Sequence, residues 1–273
     1  MIRRGAASLT GLLLAVLLGA GCTAPAPVPP PVAPSPSSAA PSSGPPSPEA
    51  PPVPRAPRPV TVVVDPGHNG GNAALSRISR PVPDGRGGTK PCNTTGASTD
   101  SGYPEHAFTW AVSMRLAEML RARGVRVVLT RDSDDGVGPC VDERGRAGEE
   151  AGADPVVSVH ADGGPPSGSG FHVLYSSPPL NGAQGAPSRT LAASAVGALE
   201  AEGFGPADYI GRAGLDPRED IAGLNLATVP SVLVECANLR NVGDAALARS
   251  PAGQERYAAA LADAVAGWLA ERR

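Results

Sequence analysis

Three short β-branched runs limit what this chain can fold into: VTVVVD at 60–65, PVVSVH at 155–160 and SVLVE at 231–235. Each has the length and composition of a buried strand. Each also leads to a residue with chemistry to offer. His68 stands three positions past the first run, His160 closes the second and Glu235 closes the third. Helical periodicity fills much of the space between and after them. In 105–122, Phe108, Val112, Leu116, Met119 and Leu120 fall on one stripe, and Gly124 stops the helix. In 254–269, Tyr257, Leu261, Val265, Trp268 and Leu269 share a face. Segments 142–151 and 188–202 read as further helices, and 125–130 and 171–176 as further strands. Residues 69–103, rich in Gly, Ser, Thr and Pro, read as a long loop, either a lid or a groove wall.

Strands alternating with helices predict an α/β fold: a single domain over 60–273 with a twisted, mostly parallel sheet and helices on both faces. Ligands of such sheets bind beyond the carboxyl ends of the strands. Parallel strands would therefore bring His68, His160 and Glu235 to one edge. Glu105, at the start of the first long helix, can reach the same place. Two imidazoles and a carboxylate suit Zn²⁺ and leave a fourth position open. A further carboxylate is then needed as general base, and Glu235 fills that role.

Each residue also has an ordinary reading. His68 and His160 can be hydrogen-bonding residues at strand ends, and Glu105 can complement the dipole of its helix. His106 competes with Glu105, although helical neighbours point about 100° apart. Glu235 follows three apolar residues and needs a cationic partner or a catalytic reason. His172, inside FHVLYS, reads as a structural strand histidine. Arg218 reads as a grip for a substrate carboxylate or as a surface ion pair with Glu219 or Asp220.

The N-terminus is an address. Residues 1–21 carry Arg3 and Arg4 ahead of an apolar stretch of signal-peptide length, and Gly19-Ala20-Gly21-Cys22 reads as a lipoprotein cleavage site that would anchor the chain to a membrane through a lipid on Cys22. Residues 22–59 are a Pro/Ala/Ser tether that cannot bury enough apolar surface to fold. Beyond it the chain has 19 basic and 25 acidic residues, an acidic balance that argues against a nucleic-acid partner. In an exported domain, Cys92 and Cys140, both in Gly/Pro-rich loops, are expected to form a disulfide. Cys236 follows a buried strand and reads as a small core residue. A monomer is the default for one compact domain.

The chain resembles the zinc-dependent N-acetylmuramoyl-L-alanine amidases of the autolysin type. The matching pieces are VVVDPGHNGG, Glu105 opening a helix, Arg144 with ADPVVSVHAD, and VPSVLVECANLRNVGDAALA. They span nearly all of 61–270. The resemblance implies that His68, Glu105 and His160 are zinc ligands, that Glu235 is the catalytic carboxylate, and that peptidoglycan and its muropeptides are the partners. The family usually has Asn where Asp162 stands and Gly where Cys236 stands. A tethered wall-binding or regulatory lipoprotein without activity, and a zinc peptidase on the stem peptide, are the rival readings.

Overall fold

The computed structural model describes residues 58–272. The leader 1–21, Cys22 and all but the last two residues of the tether lie outside the described residues. In chain order the elements are β1 (Thr61–Pro66), a 3-10 turn (Gly70–Ala73), α1 (Leu75–Ile78), β2 (Pro81–Pro83), β3 (Thr89–Pro91), α2 (Glu105–Ala122), β4 (Arg126–Leu129), α3 (Val141–Ala151), β5 (Val156–Asp162) and β6 (His172–Ser176). Then follow α4 (Ala186–Ala201), β7 (Leu215–Arg218), α5 (Ala222–Asn225), β8 (Ser231–Asn238), α6 (Val242–Arg249) and α7 (Pro251–Ala270). Among the described residues no helix is long and apolar enough to cross a membrane.

Six strands form one sheet in the order β4-β1-β5-β8-β6-β7. Every pair is parallel except β6 against β8. The fold is therefore α/β with a mostly parallel central sheet. Alternation along the strands sorts the residues between two faces. Val62 and Val64 of β1, Val157 and Val159 of β5, and Val232 and Val234 of β8 meet Phe108, Leu116, Leu191, Tyr257, Leu261 and Trp268 in one continuous core. Those partners come from α2, α4 and α7. The opposite face is apolar only in two patches. Val63 and Val156 pack with Ala147 and Val229, and Leu174 and Leu233 with Leu224.

The loop expected over 69–103 carries more structure than its composition suggests. It contains the 3-10 turn, α1 and the antiparallel pair β2–β3. Asp84 stabilises the turn between β2 and β3, because its Oδ1 accepts from the amides of Arg86 at 2.8 Å and Gly88 at 2.9 Å. Arg86 ties that turn to the α5 region, donating to the carbonyls of Glu219 and Pro178. The Cys92–Cys140 disulfide joins the end of this segment to the start of α3.

Candidate metal and catalytic site

Strand ends and one helix start supply the site. β5 and β8 lie in register at His160 and Glu235, so both side chains leave the sheet on the same face. Past β1 the chain turns through Asp65-Pro66-Gly67, and His68 takes a left-handed backbone, φ 58°. A β-carbon makes that conformation costly, and it persists only where surroundings hold it. The surroundings here are two buried guanidinium groups. Arg144 donates to Asp65 Oδ1 at 2.6 Å, to the Pro66 carbonyl at 2.6 Å and to the His68 carbonyl at 2.8 Å. Arg131 donates to the Pro66 carbonyl at 3.0 Å, while Thr109 Oγ1 donates to Gly67 O at 2.7 Å.

Within this frame His68 Nε2 lies 3.1 Å, and His160 Nδ1 2.9 Å, from Glu105 Oε1. One donor atom from each of the three side chains falls within a 4.8 Å cluster. The groups are held from behind. Thr94 O lies 3.1 Å from His68 Nδ1, which directs the Nε2 lone pair at the cluster. Glu105 Oε2 accepts from the Ala97 amide at 2.7 Å, and Oε1 from the Ala161 amide at 3.1 Å. Two imidazole nitrogens and a carboxylate oxygen, with His68 and Glu105 each fixed by a further contact, fit a zinc ion. His106 is turned elsewhere: its Nδ1 lies 2.7 Å from Asp134 Oδ2.

Close packing leaves no room for side chains at two glycines. A β-carbon on Gly67 would lie 2.3 Å from His160 Cε1, and one on Gly96 2.8 Å from Glu105 Oε2. Gly96 also has φ +79°.

Burial opposes charge throughout the cluster, and position decides the outcome. For Glu105 burial favours the acid, but His68 and His160 together outweigh it and hold the carboxyl well below its usual range. For His68 burial opposes protonation, and Glu105 and the Thr94 carbonyl overcome it, so its pKa rises. The same carboxylate does not rescue His160, whose pKa falls. For that ring burial outweighs the hydrogen bond to Glu105, and the His68 charge opposes its own. Asp65 is pulled below its usual value, because Arg144, Ser158 and Thr130 outweigh the large cost of its burial.

Glu235 touches a cavity of about 450 Å³ that His68, Glu105 and His160 also line. Lys90 of β3, Ile221 and Leu224 also line it. The residue is partly open to that cavity, yet its Oε2 is buried without a partner. Burial first, then the negative charges of Glu105 and Asp162, push the Glu235 carboxyl well above its ordinary value. Asp162 Oδ2 accepts from Tyr209 Oη at 2.9 Å. Arg218, at the end of β7, is paired with Asp220 at 2.7 Å and Asp216 at 3.3 Å. It lies apart from the three-residue cluster.

Asp65, Arg131 and the two glycines are the parts that sequence reading did not assign. DPG after a buried strand signals a tight turn, but the guanidinium partners come from 66 and 79 residues further along the chain.

A family profile for N-acetylmuramoyl-L-alanine amidase matches residues 62–267. An N-acetylmuramoyl-L-alanine amidase of Mycobacterium tuberculosis is 53% identical over 211 residues, covering 77% of this chain and 87% of that protein. The crystal structure of the N-acetylmuramyl-L-alanine amidase Ami1 of Mycobacterium smegmatis superposes with a TM-score of 0.76 at 54% identity, covering 78% of this chain and 97% of that one. The Mycobacterium abscessus Ami1 structure gives 0.75 at 49% identity, covering 77% and 98%. With its parallel sheet, its strand-end cluster and these relatives, the chain belongs to the N-acetylmuramoyl-L-alanine amidase family.

Proposed function

We propose that this protein is a zinc-dependent hydrolase that cuts the amide between the lactyl group of N-acetylmuramic acid and L-alanine in peptidoglycan. The observation that carries the reading is the His68–Glu105–His160 cluster beside Glu235 on one cavity. His68, Glu105 and His160 would hold the ion. When bound, Zn²⁺ supplies Lewis acidity, which acidifies water and polarises a carbonyl. Glu235 takes the proton of the attacking water and delivers it to the departing alanine amine. Arg144 and Arg131 keep the His68 turn in place while this happens. Arg218 grips a carboxylate of the stem peptide, with Asp216 and Asp220 orienting its guanidinium.

The same reading places the protein in the cell envelope, exported by residues 1–21 and anchored by a lipid on Cys22, acting as a monomer. Metabolic labelling with a fatty acid tests the anchor: label on the parent and none on Cys22→Ser is the expected result.

The deciding experiment is mass spectrometry of a synthetic muramyl peptide incubated with the zinc-loaded full chain. Free stem peptide with an N-terminal L-alanine is expected, lost on chelation and restored by zinc. Replacing Glu235 with Gln should lower turnover about 10²- to 10⁴-fold while leaving bound zinc unchanged. Cleavage within the stem peptide instead would make the protein a peptidase. Full activity in Glu235→Gln would remove Glu235 from the mechanism.

A further inference from the structure

We propose that His172 is a positioning residue for Glu235, donating from its Nδ1 to the Glu235 Oε2 carboxylate oxygen and so fixing the orientation of the general base. This rests on the reading of Glu235 given above.

The argument begins with register. β6 and β8 are antiparallel neighbours, and His172 stands directly opposite Glu235. Opposed residues of an antiparallel pair share a face, with β-carbons about 4.5–5.5 Å apart. On the other side of β8, His160 is in register with the same Glu235. His160, Glu235 and His172 therefore form one row across three strands, with the base between a cluster histidine and a second histidine.

The second observation is a matched pair of deficits. Few buried side-chain polar atoms among the described residues lack a partner, and two of them are His172 Nδ1 and Glu235 Oε2. His172 is only 2% exposed, so water does not readily make up the loss. A buried polar atom left alone costs about 1–3 kcal/mol. Two such atoms, one a possible donor and one an acceptor, stand on facing residues of adjacent strands.

The third observation is what stands behind the imidazole. Asp216 Oδ2 lies 4.0 Å from His172 Nε2, and Arg218 in turn holds Asp216 at 3.3 Å. Tyr209 meets the ring edge to face, with centroids 6.1 Å apart. Asp216, Asp162, Arg218 and Glu235 are the charged groups facing His172, from β7, β5 and β8. At 4.0 Å Asp216 is beyond hydrogen-bond reach of Nε2 and does not fix the ring proton there, so Nδ1 can carry it.

The test uses the zinc-loaded full chain with a muramyl peptide and three substitutions at one position. His172→Phe keeps the ring and loses the donor. His172→Asn places an amide nitrogen near the Nδ1 position, and His172→Gln places one near Nε2. The proposal expects kcat of His172→Phe and His172→Gln to fall by about 10- to 100-fold, the usual effect of removing an outer-shell partner, with KM little changed and bound zinc retained. His172→Asn should recover most of the loss. Equal losses in Asn, Gln and Phe, or no loss in Phe, would overturn it.

A crystal structure of the zinc-loaded parent chain gives a check that needs no variant to fold: Nδ1 within hydrogen-bond distance of Glu235 Oε2 supports the pairing, and a wide, dry gap rejects it. Glu235→Gln, measured alongside, separates the two ideas. If it is inactive and His172→Phe is normal, only the positioning role fails. If it is fully active, the reading of Glu235 fails and takes this inference with it.

Discussion

The two faces of the sheet are built from the same strands and do opposite things. Toward α2, α4 and α7, β1, β5 and β8 present valine after valine, closed by Phe108, Tyr257 and Trp268. Toward the other side the intervening residues include Asp65, Ser158, His160 and Glu235, beside a cavity, and His172 in the same row as Glu235. Placing stability on one face frees the other for groups that cost stability. Asp65 and Glu235 lose solvation there, as Glu105 does at the strand ends, and only Asp65 and Glu105 recover it through partners. Glu235 keeps a carboxyl raised well above its ordinary value, which suits the proton exchange proposed for it.

That division can be broken from either side. The largest stability effect is expected on the apolar face. Phe108→Ala should cost about 3–5 kcal/mol by denaturant unfolding, because it leaves a cavity among residues with no exposure. Glu235→Gln, on the polar face, should leave the unfolding midpoint where it is or raise it. A variant that lost as much stability as Phe108→Ala would show that the faces are not separable.

Next comes Asp65→Asn, which strands Arg144 as an unpaired buried cation, at a cost of about 3–5 kcal/mol when such a pair is broken. Its sign with pH sharpens the point. The folded pKa of Asp65 lies below the ordinary 3.8, so its contribution is complete above that value and disappears as pH falls through the lowered one. Stability curves for parent and variant should therefore converge toward strongly acid pH. A gap that stays constant down to acid pH would count against the Asp65–Arg144 pair.

Removing the Cys92–Cys140 disulfide as Cys92→Ser with Cys140→Ser should cost about 2–4 kcal/mol, since it closes a loop with a sequence separation of 48. The smallest effect is expected from Arg218→Ala. KM for an anionic stem peptide should rise by about 10-fold or less, the scale of one exposed charge-assisted contact, with kcat unchanged. An effect on kcat of equal size would move Arg218 from substrate grip to a role near the reacting atoms.

The fold was legible wherever burial was strong. The β-branched runs and the two long amphipathic helices appear close to where periodicity puts them. β7 was hidden because LDPR is a short edge strand with a proline in it. α6 was hidden because only Ala248 of its eight residues is buried, and its clearest signal is Asn241 capping the amides of Gly243 and Asp244. Within the site, the strand-end residues could be read from position alone. Between Glu105 and His106 only the family resemblance decided, since both open the same helix. The Arg144 clamp needed coordinates, because nothing local to residue 144 indicates that topology will bring it against Asp65. His172 looked ordinary in sequence, and its interest comes from what stands opposite it.

Gly67 carries no functional group, yet the His160 ring lies where its β-carbon would be. Any replacement must push that ring, and with it a donor of the cluster. A mutational scan scored on activity would rank this position beside the three cluster residues, and drift at its codon would be as closed as at theirs. Intolerance to substitution therefore marks two kinds of residue here, those that act and those whose emptiness lets others act, and only the coordinates tell them apart.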